Sequence, residues 1–506
     1  MTEKILLWID NSFLQFGIAN KLQNKEFELF GIFDINESMK EFFEKQKIVD
    51  FKKIWNFYEC TPNLNPNLEY LKKIEKKYDI NLWSIAYTDR AFYSEYNLFH
   101  KFNSNEILSI IENEIRFFEN IFNEIKPKFL LMNAVTQHYQ YLLTKICKKL
   151  GIIVLTIEPL RFGDRAMIVK DTIYDKQKFL KPITNDKKYK KTKEEIQDFL
   201  KFNMPGKFYL KDKTHKNYKI NKLEKIKAFL EFLIYQKKIS QKQYKNFGRT
   251  KLNVITKGSG RIHMIKKKRR ESFMREKFVK DIDVVKSFVY FPLHYEPERV
   301  LLIGASFYAD QISVIKNIAK SLPVDFLLLV KEHPVMETQG WRKRSFYKEI
   351  MDIPNVKLIS PFIKTEEIMK KSSLIISISG TSALEAIFYE KPSIIIKPDI
   401  GYDSIPSICI LNNIEDLPNA IKTSLKKKVS DLELNDYIDL IERNSFEYSS
   451  SRYSYEIAQK FNYNVGYLKQ IMINNKIMKS FLIDFDDIIQ KVTNEYIKKI
   501  ETFKTS

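Results

Sequence analysis

The chain has 506 residues and a hydrophobic fraction of 44%, enough for two to four domains with large buried cores, so disorder is not the default reading. Its three cysteines, Cys60, Cys147 and Cys409, lie far apart and form no CxxC pair or Cys/His cluster; neither a disulfide scaffold nor a structural zinc site is expected, and a reducing compartment fits. The formal charge of +22 has two explanations, attraction for anionic partners (phosphorylated donors, an anionic glycan, an anionic leaflet) or a general solvated lysine surface.

The opening apolar run 5–9 is stopped by Asp10, too early for a signal peptide, and no uncharged stretch approaches the ~20 residues of a spanning helix. A soluble, cytoplasmic chain is expected, at most resting on the inner face of a membrane. Residues 5–9 read as a strand, 13–22 as a helix, 27–35 as a strand and 36–46 as a helix. Strands are predicted at 54–58 and 82–87, then a long helix over 105–125 in which Ile107, Leu108, Ile111, Ile115 and Phe118 recur at helical spacing. A buried-type strand at 129–132, a helix over 137–150 closed by Gly151, and a strand at 152–157 complete the first unit. Strands alternating with helices imply right-handed βαβ units and a parallel sheet covered on both faces.

Periodicity weakens over 161–283, a lysine-rich stretch with helices predicted at 193–201 and 223–245, and it reads as an insertion and interdomain connection. Its Lys257-Gly258-Ser259-Gly260 turn follows no convincing strand and is weak as a phosphate loop. The run Lys266, Lys267, Lys268, Arg269 and Arg270 is dense enough to suggest an anionic contact. From 287 the βα pattern returns, with strands at 287–291, 300–303, 326–330, 356–359, 374–378 and 393–396 and helices at 309–321, 364–371 and 382–389; further helices follow from 417 to the end. The division is 1–160, a first Rossmann-like domain; 161–283, a basic helical insertion; 284–430, a second Rossmann-like domain; and 431–506, terminal helices.

Ligands of open α/β sheets bind beyond the carboxyl ends of the strands. The strand 326–330 runs directly into Lys331-Glu332-His333-Pro334, placing a cation, a carboxylate and an imidazole at such an end. The strand 374–378 runs into Ser379-Gly380-Thr381-Ser382, where glycine allows close backbone approach and hydroxyls stand beside the free amides of a helix start, with Glu385 one turn in. Each pattern alone is equally that of a satisfied histidine or a helix cap; together they point to an anion site. In the first domain Asp10, Glu158, Asp89 and Asp164 follow strands or lie in the loops beyond them and are the candidate bases, whereas His138, near a helix start, reads as a structural histidine.

The segments 290–298 (with His294 and Glu298), Asp310-Gln311, Lys331-Glu332-His333-Pro334 and Ser379 to Ala386 resemble the capsule polysaccharide biosynthesis family, similar to Kdo transferases and to bacterial sialyltransferases with an HP motif, all of the GT-B fold. The resemblance covers about 287–397. It implies an α/β, GT-B-like pair of Rossmann-like domains facing a cleft, with the nucleotide-sugar donor in the second and a glycan or lipid-linked glycan acceptor in the first. Lys331, His333, Pro334, Ser379, Gly380, Thr381, Ser382 and Glu385 would hold the donor, with His333 on its phosphate; His294 and Glu298 would line the cleft; Asp10 or Glu158 would act with His333 in catalysis. No metal and no cofactor beyond the nucleotide-sugar co-substrate, such as a CMP-activated ulosonic acid, is implied. A UDP-N-acetylhexosamine 2-epimerase of the same fold is the alternative, although those enzymes carry Asp-Ser-Gly-Gly where this chain has Ile378-Ser379-Gly380-Thr381. A basic nucleic-acid-binding protein is the third reading, with no zinc finger, RRM or helix-turn-helix signature behind it.

Overall fold

The computed structural model describes residues 2–23, 25–60, 65–93, 96–160, 163–172, 194–195, 244–250, 252–253, 260–283, 285, 287–398, 400–461 and 473–504. The helices predicted at 193–201 and 223–245 and the glycine turn at 257–260 fall almost wholly outside the described residues.

Both expected α/β units form, each around a mostly parallel sheet. The first sheet contains β1 (Glu3–Asp10), β2 (Phe27–Asp34), β3 (Lys53–Asn56), β4 (Phe129–Asn133), β5 (Ile153–Pro159) and β6 (Arg165–Lys170); β1 to β5 run parallel and β6 turns back antiparallel to β5. The second comprises β7 (Phe288–Pro292), β8 (Leu327–Lys331), β9 (Val356–Ile359), β10 (Leu374–Ser377), β11 (Ser393–Ile395) and β12 (Ile408–Ile410), parallel throughout in the order β12-β11-β10-β7-β8-β9. The chain then returns to the first unit, where β13 (Phe446–Glu447) pairs with β6, so that sheet reads β13-β6-β5-β4-β1-β2-β3.

Buried β-strands of a parallel sheet read as continuous apolar runs because helices cover both faces. In β1, Ile5, Leu7 and Ile9 face one layer while Leu6 and Trp8 face the other. The Leu6/Trp8 face is covered by the helices Leu68–Tyr78, Ser104–Ile125 and His138–Lys149. The opposite face is covered in part by the chain's own end: Met478, Phe481, Ile489, Val492 and Tyr496 of the helices Asn475–Asp484 and Asp486–Thr502 pack against β1 and the helix Leu14–Leu22. The approach is close enough that a Cβ at Gly17 would stand 2.6 Å from Ile489 Cδ1. Tyr496 Oη donates to the Met132 carbonyl (2.9 Å) and Tyr453 Oη to the Ser12 carbonyl (2.8 Å), tying the returning segment to the strand ends.

Two expected strands are helical. Residues 82–86 form a short helix because Asn81 accepts a hydrogen bond from the Ser84 amide as its cap (2.7 Å) and Leu82, Ile85 and Ala86 bury one face at helical spacing. Val300–Gly304 is a π-helical turn; its four apolar residues are all buried, so the run carries no alternation to separate strand from helix. Three short strands, β6, β12 and β13, lie where none is predicted.

His138 is the structural residue expected, in an unusually charged setting. Fully buried, it sits between Asp89 Oδ2 (2.6 Å from Nδ1) and Glu114 Oε2 (2.8 Å from Nε2), and Tyr244 Oη donates to the same Asp89 oxygen (3.0 Å). Burial opposes the imidazolium, but Glu114 and Asp89 outweigh it and hold the ring up to about 9. Burial likewise opposes the Asp89 carboxylate, and His138 offsets it, taking it down to about 2. The raised histidine contributes stability in full below its ordinary value of 6.5, lost as pH rises toward 9; the lowered aspartate contributes above its ordinary 3.8, lost toward 2. The stability advantage of the native protein over His138→Gln is therefore expected to shrink by roughly 3 kcal/mol at most between pH 6 and 9.5. Side-by-side melts with a constant gap across that window would show that the triad is not charged.

Candidate functional site

Parallel strands deliver their following loops to a single sheet edge, and the crevice opens where the strand order reverses. In the second sheet that reversal lies between β7 and β10. Gly380, in the turn after β10, has φ +133°, a conformation that favours glycine, and a Cβ there would stand 3.4 Å from His294 Cε1. His294, in the loop after β7, accepts a hydrogen bond from the Ser379 amide at Nε2 (3.2 Å), with Ser377 Oγ 3.4 Å from the same nitrogen. A neutral ring so engaged carries its proton on Nδ1. The histidine beside the hydroxyl turn is thus His294, which the sequence placed only on the cleft lining.

His333 stands one strand further on, after β8. Its Nδ1 accepts from the Val335 amide (3.2 Å), capping the turn Pro334–Gln339, and Pro334 occupies the first position of that turn. Its ring is 6.0 Å, centroid to centroid, from Tyr295, the neighbour of His294. With β7 between them, the ends of β8 and β10 are separated by about 10 Å. The β7 loop therefore bridges the two motifs that the sequence had paired directly.

That loop is held by buried charge. Glu332, fully buried, accepts from Arg342 Nε (2.9 Å), Tyr347 Oη (2.8 Å) and the His333 amide (2.7 Å). Arg342 also pairs with Glu296 (2.6 Å) and donates to the His294 carbonyl, while Gln311 donates to Glu296 and to the His294 carbonyl (3.3 Å) and accepts from the His294 amide (2.7 Å). Burial raises Glu332 above the usual carboxylate range against the pull of Arg342 and its hydrogen bonds. Asp310, part of the same resemblance, caps the helix Gln311–Ala319. The side chain of Lys331 leads elsewhere: buried, it donates to the Ile363 carbonyl (2.7 Å) and Thr365 Oγ1 (2.8 Å) beyond β9, a structural bond in place of the donor contact expected of it.

Thr381 and Ser382 are half-buried at the start of the short helix Ser382–Glu385, and no side chain caps that start. Glu385 is half-buried one turn in, raised by burial and eased by a hydrogen bond with Thr381. Glu298 lends its carbonyl to the Leu302 amide (3.1 Å), opening the π-helical turn.

The first sheet presents its own reversal between β4 and β1. Asp10 ends β1 there, accepting from the Ser12 amide (2.9 Å), Ser12 Oγ (2.6 Å) and Asn133 Nδ2 at the end of β4 (2.8 Å). Burial raises Asp10 above its ordinary range; the bonds from Ser12 and Asn133 oppose this, and Asp34, its register partner on β2, adds to it. Asp34 accepts from Tyr139 Oη (2.6 Å), which in turn accepts from Lys245 Nζ (2.7 Å); this chain of contacts has no sequence signal, since its members are scattered over 34–245. Glu158 is fully buried and pairs with Arg299 Nη2 (2.9 Å) across the two domains. Its role as a candidate base gives way to that of an interdomain strut. Asp89 is committed to His138, and Asp164 accepts from Ser449 Oγ (2.8 Å). Asp10 stays at the end of β1, at the reversal of the first sheet.

Among the described residues no group of three or more His, Cys, Asp or Glu is placed to hold a metal ion, and no helix is long and apolar enough to cross a membrane. In the basic helix Gly260–Lys277, Lys267 pairs with Glu337 (3.0 Å) and Arg270 donates to the Gly340 and Trp341 carbonyls (2.9 and 2.6 Å), while Lys266, Lys268 and Arg269 are exposed.

No protein-family model matches the sequence, and no curated protein sequence does. Among solved structures, the chain is similar to the UDP-GlcNAc 2-epimerase of Methanocaldococcus jannaschii, with 13% identity over 87% of this chain and 99% of that one and a TM-score of 0.23. It is also similar to the beta Kdo 2,7 transferase KpsC of Thermosulfurimonas dismutans, with 11% identity over 76% and 97% and a TM-score of 0.28. A third is HepE of Anabaena in complex with UDP, with 10% identity over 91% and 99% and a TM-score of 0.27.

Proposed function

We propose that the protein is a glycosyltransferase that moves a sugar from a nucleotide-activated donor, held by the second domain, to a glycan or lipid-linked glycan acceptor at the first, in surface polysaccharide assembly. The observation that carries this reading is the hydrogen bond from the Ser379 amide to His294 Nε2 at the strand reversal of the second sheet; Asp10, at the reversal of the first sheet, would face it across the cleft. In a neutral His294 the Nδ1–H donates; in a neutral His333, whose Nδ1 accepts, the Nε2–H donates. These ring protons, with the Ser379–Ser382 hydroxyls, would bind the donor phosphates and stabilise the leaving nucleotide as its charge grows. Asp10, with its raised proton affinity, would take the proton from the acceptor hydroxyl. A CMP-activated ulosonic acid is the donor we favour. The exposed Lys266, Lys268 and Arg269, beside Met264 and Ile265, each 54% exposed, would rest on an anionic leaflet.

Incubation with CMP-, UDP- and GDP-sugars and an acceptor panel tests the transfer reading through nucleotide release. Asp10→Asn is expected to lower kcat by about 10²–10⁴ with nucleotide binding kept, and His294→Ala and His333→Ala to lower kcat/KM by tenfold or more. Full turnover by Asp10→Asn would remove the base assignment. Solvent deuterium entering the donor sugar ring without acceptor would convert the reading to epimerisation. Reversing Lys266, Lys268 and Arg269 to Glu is expected to weaken binding to phosphatidylserine-containing vesicles more than tenfold at about 0.1 M salt; unchanged cosedimentation would remove the membrane contact.

A further inference from the structure

A concavity of about 280 Å³ is built from residues of both domains. The first domain contributes Trp83, Ser84, Tyr87 and Tyr93, and the second Ser306 and Phe307. Three of its rings stand in water: Trp83 is 39% exposed, Tyr87 60% and Phe307 94%. Exposed aromatics gathered around one hollow mark a binding surface, since each leaves apolar area in solvent that burial elsewhere in the fold would have removed. Two of the rings are held in place. Tyr87 and Tyr93 meet edge to face with centroids 5.7 Å apart, and Tyr93 Oη donates to the Tyr87 carbonyl (2.7 Å). Tyr96, in the same loop, donates to Glu296 (3.1 Å), so the Tyr93 segment is clamped to the loop that carries His294.

The charge at this place selects among occupants. The protein as a whole is +22, yet among the described residues none of those lining the hollow is charged. A nucleotide phosphate or an anionic lipid headgroup has no counter-charge there. What suits the lining is a neutral body with an apolar face and a hydroxylated rim: the C–H face of a pyranose, whose polarised hydrogens are attracted to the negative face of an aromatic ring, while the hydroxyls of Ser84 and Ser306 meet its edge. We propose that this aromatic hollow is a subsite for one neutral pyranose ring of the acceptor glycan, away from the reacting residue, a role that rests on the glycosyl-transfer reading. It holds a growing chain by a sugar other than the one being extended, and gives that chain a direction through the cleft.

The test uses the full chain with chitotetraose and maltotetraose as probes, followed by saturation-transfer NMR and titration. At least one of the two is expected to bind with saturation on its ring C–H protons, and Tyr87→Ala and Phe307→Ala are each expected to weaken that binding about fivefold to tenfold. Both positions are exposed, so the variants should melt with the native protein. Lack of binding by both probes, equal affinity in the double variant, or occupation of the hollow by a detergent alkyl chain in preference to sugar would overturn the proposal. Loss of oligosaccharide binding in Phe307→Ala, with no nucleotide release from any donor, would leave the subsite standing and remove the transfer reading. Nucleotide release with acceptor, but no response of either probe to these variants, would do the reverse.

Discussion

A parallel sheet admits only crossover connections, and this constraint organises the molecule. Because each strand must be re-entered from the same end, every loop that follows a strand emerges at one edge, and a gap opens where the winding changes direction. The protein uses the constraint twice, at β7/β10 and at β1/β4. At the first reversal Ser379 meets His294, at the second Asn133 meets Asp10, and the loops of the two edges touch where Arg299 bonds Glu158. The polar residues at these positions follow from that geometry, since the end of a buried apolar strand is the place where a charged side chain can be both held by the core and exposed to a ligand.

Two devices hold the edges in register. Within the second domain, the buried Glu332–Arg342 pair, extended to the half-buried Glu296, locks the β7 loop to the end of β8. A charge so buried is tolerated only where its partners are well placed, and removing one of them would leave the others uncompensated. Between the domains, Glu158 and Arg299 pair at 2.9 Å, and the terminal helices cross back to cover the first sheet, with Tyr453 bonding the Ser12 carbonyl just after Asp10 and Tyr496 the Met132 carbonyl at the end of β4. The edge of the first sheet is thus completed by residues hundreds of positions away in the chain, 441 for Tyr453–Ser12 and 364 for Tyr496–Met132.

Much of the fold was legible because its strands are short, apolar and regularly separated by amphipathic helices. The misread elements are those whose local pattern is ambiguous: residues 82–86 and 300–304 are short apolar runs that fit strand and helix alike. Strands β6, β12 and β13 are two to six residues long and owe their pairing to neighbours rather than to an internal pattern. The candidate site was legible as motifs. Lys331-Glu332-His333-Pro334 announces a strand end, but which of its side chains faces the cleft depends on the pleat and on what packs beside it, which is why Lys331 turned toward Thr365 and Glu332 toward Arg342.

The amino-acid order by itself determined the alternation of elements, the two α/β units, the strand-end positions of Asp10, His333 and Ser379, and the structural character of His138, because these depend on local periodicity and on residue types a few positions apart. Only the tertiary structure decided that His294 is the imidazole against the Ser379 amide, that Glu158 is consumed by Arg299, that the chain's end completes the first domain, and that Trp83, Tyr87 and Phe307 gather around one hollow. Each of these rests on a contact between segments distant in the chain, and the physical information for such contacts, the order of strands in a sheet and the docking of one domain on another, is carried by the packed whole rather than by any window of residues.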